Sequence, residues 1–144
     1  MNNRNLLIRE IEIDEAILGI RADGIVQVYL KDNMELDVDL QMRWLKIYHE
    51  LTGGIDQPFV FEAGIGTTVT KEARDNAILI EDEAPMGGTA VVVSSTAHML
   101  IANFYLKFNK PKIPYRVFKD YNKAIDWLKT LDCYQPQRTL SKTE

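Results

Sequence analysis

Alternation and helical spacing divide the chain into strands and helices. Leu6–Ile13 settles into alternation, with Ile11 and Ile13 on one side and Glu10 and Glu12 on the other. After Asp14-Glu15 the segment Ala16–Ile20 is again extended in character, Asp23-Gly24 is a turn dipeptide, and Ile25–Leu30 is β-rich. The pattern predicts an opening antiparallel hairpin with a kink near Asp14. Leu40, Trp44, Ile47, Tyr48 and Leu51 then form one helical stripe, opened by Asp37 as cap with Asp39 in the first turn and closed by Gly53-Gly54. A short strand Phe59–Phe61 follows Pro58, then the loop Gly64-Ile65-Gly66-Thr67-Thr68, then a helix Lys71–Ile80 capped by Thr70. Pro85, Gly87 and Gly88 are expected to end that helix and its acidic tail.

The β-branched run Thr89–Val93 predicts a central strand buried on both faces. Ser94 or Ser95 caps the next helix, which runs through Met99, Leu100, Phe104 and Phe108 and stops at Asn109-Lys110-Pro111. Ile113–Phe118 is the last strand, an edge or a strand start because of Pro114. Asp120 caps the last helix, with Tyr121, Ala124, Ile125, Leu128 and Leu131 as its stripe. The order ββαβαβαβα predicts an α/β fold with a mixed, mostly parallel sheet in a single domain over 1–132. Residues 133–144 are read as a polar tail.

Composition narrows the function classes. Of 144 residues, 46% are apolar, enough for one core without a metal or disulfide. Cys133 is the only cysteine, which excludes an intrachain disulfide and a cysteine-rich zinc site. The longest apolar runs, Ala90–Val93 and Met99–Ala102 among them, are far below the ~20 residues of a membrane span. A polar N-terminus with no hydrophobic region behind it leads to the expectation of a cytoplasmic protein. The net charge of −4 is uneven: residues 1–72 carry −6, residues 73–144 carry +2, and within 101–131 the balance is +5. That basic stretch, with Lys107, Lys110 and Lys112, can hold an anionic head group, but no nucleic-acid motif accompanies it and none is expected to bind.

Residues along Val91–Leu131 carry a resemblance. Asn103-Phe104, Phe108-Asn109-Lys110-Pro111, Pro114, Phe118, Asp120, Ala124 and Trp127-Leu128 resemble a family of short, uncharacterised bacterial proteins of STAS/SEC14-like type. The match to that family runs from about Ile25 to Leu131, and the order of strands and helices is independently similar to the STAS fold of anti-sigma-factor antagonists. The resemblance implies a domain without catalysis that binds protein partners and sometimes nucleotides or lipids. It also implies a switch by phosphorylation at the loop here spanning Glu62–Thr70. The antagonists' acidic-serine-glycine pattern is missing from that loop, which offers Thr67, Thr68 and Thr70 instead.

The candidate site read from the residues is the pair of loops at the carboxyl edge of the sheet. Gly64 and Gly66 permit close backbone approach, Thr67, Thr68 and Thr70 supply hydroxyls, and Ser94 and Ser95 lie at the next junction. Neither a phosphate-binding P-loop nor a dinucleotide fingerprint is present, since Val69 stands where the third glycine would fall. His49 and His98 lie on different helices without metal-ligand spacing, and no metal or cofactor is expected. Met99–Phe108 is apolar on more than one stripe, so that helix or the hairpin is expected to join a homodimer or a ligand-lined groove. The leading reading is a non-catalytic regulatory or protein-interaction module. The alternative is a small carrier of a lipid or apolar anion.

Overall fold

The computed structural model describes residues 7–96, 98 and 111–135. Three strands open the chain: β1 (Leu7–Glu12), β2 (Ala16–Arg21) and β3 (Val26–Leu30). After them come β4 (Glu35–Leu36), α1 (Val38–Thr52), β5 (Gln57–Ala63), β6 (Thr68–Val69), α2 (Lys71–Leu79), β7 (Met86–Val92), β8 (Tyr115–Phe118) and α3 (Tyr121–Leu128). The main sheet has the order β1-β2-β3-β5-β7-β8, antiparallel through β3 and parallel from there to β8. The predicted mixed α/β sheet stands, with two corrections at its ends.

The first correction concerns the opening hairpin. Asp14-Glu15 is a full reversal, closed by a 2.9 Å bond from Ile13 N to Ala16 O, and β1 pairs antiparallel with β2. The chain therefore opens as a three-stranded meander. The second concerns Gly87 and Gly88, which lie inside β7 rather than ending α2. A Cβ on Gly88 would overlap the Leu131 side chain, and one on Gly87 would overlap Cys133. These glycines are small because the turn after α3 lies directly against the strand.

Sequence spacing explains the rest. Asp37 accepts from Leu40 N at 2.9 Å to start α1, and Gly53 ends it at φ +66 with its N–H on His49 O. Leu40, Trp44, Leu45, Tyr48 and Leu51 are buried against Leu18, Val26, Val28 and Phe59, forming the core on one sheet face. Phe59 is wholly buried, its ring edge-on to Tyr48 at 4.8 Å. On the other face Ala124, Ile125 and Leu128 of α3 cover Ile25, Val60, Ala90 and Val92. Asp120 caps α3 on Lys123 N.

α2 is different in kind. It lies alongside α1, held by Gln41 Nε2 to Ala73 O at 2.9 Å and Asn76 Nδ2 to Gln41 Oε1 at 2.8 Å. Ala73 is its one buried residue, and Ile78 and Leu79 are exposed. The predicted apolar helix Met99–Phe108 lies outside the described residues, as do Lys107 and Lys110.

Candidate functional site

All four parallel strands end at one edge of the sheet, so the segments after β3, β5, β7 and β8 come together there. The predicted site segments are therefore neighbours: β5 and β7 are adjacent, which places Gly64–Thr67 beside Ser94-Ser95. The strand order shows no reversal across this parallel part. A binding crevice of the switch-point type, which needs neighbouring crossovers to part, is not built there.

The Gly64–Thr70 segment is fastened to the segment after β3. Gly64 N donates to Leu30 O at 2.7 Å, Asn33 N to Ile65 O at 2.8 Å, Thr68 N to Met34 O at 3.1 Å and Thr70 N to Leu36 O at 3.0 Å. The Asp32 carboxylate accepts from Ile65 N at 2.9 Å. β4 and β6 pair in parallel as a small second sheet, so the expected open loop contains a strand. A Cβ on Gly64 would sit 2.7 Å from Asp32 N and 3.0 Å from its Cα, and Gly66 at φ +74 lies against Asn33. The two glycines admit the protein's own backbone.

The hydroxyls are engaged as well. Thr67 Oγ1 donates to Gly64 O at 3.0 Å, Thr68 Oγ1 to Glu35 at 3.2 Å, and Thr70 Oγ1 accepts from Ala73 N at 3.0 Å as the cap of α2. Ser95 Oγ accepts from His98 N at 3.1 Å, so of the two candidate serines Ser95 caps; Ser94 is exposed. Lys119 Nζ reaches Thr96 Oγ1 at 2.8 Å. Lys112 is turned away to the α2 end, where its Nζ pairs with Asp82 at 3.2 Å and its N–H with Glu81.

The segment after β3 is acidic: residues 31–39 hold Asp32, Glu35, Asp37 and Asp39 against Lys31 alone, and Glu62 is the last but one residue of β5. Burial pushes the Tyr29 phenol above its ordinary range, with the Asp32 carboxylate and Glu62 adding to the shift. Ile65 stands out at 79% exposure, with Val69 at 41%. A strongly fastened backbone thus presents an apolar side chain, with the Asp32 carboxylate on its own N–H, Glu35 on Thr68 and the Arg74 guanidinium on Val69 O at 2.8 Å.

A second polar cluster escaped the sequence reading. Arg21, with a side chain only 9% exposed, forms a forked pair with Asp23 at 2.7–3.2 Å and reaches the Tyr121 hydroxyl at 2.6 Å. Tyr121 in turn donates to Gln27 Oε1. Burial works to raise the Asp23 pKa, but the hydrogen bonds and charge of Arg21 outweigh it and hold the carboxyl below its usual value. Arg21 and Tyr121 are 100 positions apart, and no local pattern marks the pair. At the opposite edge of the sheet, Met86, Gly87, Ile113, Leu131 and Cys133 border an open cleft of about 440 Å³. Among the described residues no group of three or more metal-ligating side chains occurs, and no helix is long and apolar enough to cross a membrane.

This arrangement is a STAS-like, SpoIIAA-like fold. The chain is similar in structure to an uncharacterised DUF3478-family protein with a SpoIIAA-like fold from Shewanella loihica, at 13% identity and a TM-score of 0.56, covering 83% of this chain and 98% of the other. At that identity the likeness speaks for the fold alone, and for neither a SEC14-like nor a bacterial assignment. Residues 18–132 match the family model of a domain of unknown function, DUF7793, and the chain belongs to that family. No curated protein matches it.

Proposed function

We propose that this domain is a non-catalytic interaction module whose contact surface is the Gly64–Thr70 segment with the acidic stretch after β3 fastened to it. The observation that carries this reading is Ile65, 79% exposed although its own N–H and C=O are both tied down. Exposed apolar side chains are ordinary when isolated on mobile loops. Here the backbone is fixed at both ends and Val69 lies on the same segment, so a partner meets the surface at little ordering cost. The threonines serve architecture in the free protein.

Modulation at this segment, an expectation from the family resemblance, has a physical route at Thr68. A phosphate there would replace its hydrogen bond to Glu35 by repulsion between two anions and loosen the β4–β6 pairing. The test is capture from a lysate of the source organism, comparing the native chain with Ile65→Asp and measuring the intact mass of the bait. A protein retained by the native chain and lost with Ile65→Asp supports the reading. Equal retention, or turnover of ester, phosphate or nucleotide substrates at enzyme-like rates, refutes it.

A further inference from the structure

The main sheet has two outer strands, β1 and β8, and among the described residues neither has a partner on its outer side. They point the same way: β1 is antiparallel to β2, β2 to β3, and β3 is parallel through to β8. We propose that the chain associates head to tail with further copies of itself, the outer edge of β8 in one copy pairing in parallel with the outer edge of β1 in the next.

Backbone phase fits this joint. The bond from Ile13 N to Ala16 O sets the β1–β2 ladder so that Arg9 and Ile11 address β2, while Glu10 and Glu12 turn their peptide groups outward. In β8, Pro114 O and Phe118 O accept from Thr89 N and Val93 N at 2.9 and 2.8 Å, which leaves Tyr115 and Val117 to face outward. A parallel ladder bonds each outward residue to the two residues flanking its opposite number. Glu10 can therefore bridge Tyr115 and Val117, opposite Arg116.

Side chains agree. One row runs across the sheet through Glu10, Gly19, Gln27, Val60, Ala90 and Arg116, so Glu10 and Arg116 occupy the two ends of one line on the same face. Extending the sheet by a second copy in this register brings them side by side at the ~4.8 Å strand spacing. Both residues are exposed. Glu10 already has an interaction within its own chain, and pairing with a second copy adds to it or displaces it.

Symmetric joints are disfavoured by the same pattern. Antiparallel pairing of β1 with itself, in the registers its backbone phase allows, sets Glu10 against Glu10, Glu10 against Glu12, or Arg9 against Arg9. Centred pairing of β8 with itself sets Arg116 against Arg116. Like charges directly opposite are destabilising, whereas opposite charges help. A head-to-tail joint leaves an edge open at each end, so growth continues unless a ring closes. Four residues of β8 make a small interface, and the association is concentration-dependent and weakened by salt.

The test is sedimentation velocity of the full chain from micromolar to millimolar concentration. The expected result is a sedimentation coefficient that climbs without a plateau at dimer. Arg116→Glu and Glu10→Lys each weaken association by about tenfold, a reversal of one cross-strand pair. An equimolar mixture of the two variants restores it, because altered edges then meet altered edges and native edges meet native ones. Restoration also shows that both variants fold. A chain that stays monomeric throughout, forms a discrete dimer, or associates equally in either variant alone overturns the proposal.

Discussion

Gly64→Ala is the perturbation that best isolates the fastening of the candidate surface. The added Cβ would meet the Asp32 carboxylate and lie 2.7 Å from Asp32 N and 3.0 Å from Asp32 Cα. A side-chain oxygen can swing away, but a backbone nitrogen and Cα cannot, so the segments after β3 and β5 must separate. Three bonds are at stake first: Gly64 N to Leu30 O, Asn33 N to Ile65 O, and Ile65 N to the Asp32 carboxylate. Each contributes about 0.5–1.5 kcal/mol net, and forced overpacking adds a cost of about 1–3 kcal/mol. Because this edge is partly wet, water recovers some of the lost bonding, and the expected loss is about 2–4 kcal/mol. Urea unfolding reads the total. Amide exchange locates it, and faster exchange is expected at Ile65, Thr68 and Thr70 while Val60 and Ala90 keep their protection relative to global unfolding. A loss below about 0.5 kcal/mol with those three amides still protected would refute the fastening argument.

Four further outcomes follow from the same geometry. Thr70→Ala removes the cap of α2 at a cost of about 1 kcal/mol, and since Ala73 is the helix's one buried residue, exchange within Lys71–Leu79 should rise about fivefold without a matching rise in β3 or β5. Phe59→Ala should cost about 3–5 kcal/mol in chemical denaturation, because a wholly buried ring against Tyr48 is lost from the main core. The Asp23 carboxyl is depressed by Arg21, so its contribution is fully present above the ordinary value of 3.8 and is lost as pH falls through the lower folded value; Asp23→Asn should flatten that acid limb of a stability–pH curve. Ile65→Asp should lower the urea midpoint only slightly, by salt-screened repulsion from Asp32, since that side chain is 79% exposed, and the small loss should vanish at high salt, which keeps the variant usable as a probe of binding.

The helices were the most legible part of the sequence because their signals are local. Asp37, the stripe Leu40 to Leu51, and Gly53 mark α1 within seventeen positions of one another, and the structure uses each of them as read. Asp120 and Tyr121 to Leu128 do the same for α3, while Leu131, expected on the same stripe, lies in the turn beyond its end. The turn at Asp14-Glu15 carried no glycine or asparagine to announce a reversal, so a strand pair looked like one kinked strand. Gly87-Gly88 carried the opposite error. Glycine usually punctuates, but here it marks where Leu131 and Cys133 press against β7, a contact no neighbouring residue reveals. β4 and β6 are two residues each and exist only because β3 and β5 already lie side by side. At the candidate site, the caps Thr70 and Ser95 were readable from their positions. The Asp32 and Glu35 bonds that tie down the threonine segment join residues 33 positions apart and were not.

The central claim, that a partner protein contacts the Gly64–Thr70 surface, is tested most directly by site-specific photo-crosslinking. A photoreactive side chain replaces Ile65 in one preparation and Ile55, 39% exposed beyond the far end of α1, in another. Irradiation in lysate should give a discrete heavier adduct from position 65 and none of that mass from position 55. The same adduct from both positions, or an adduct from position 55 alone, would contradict the account.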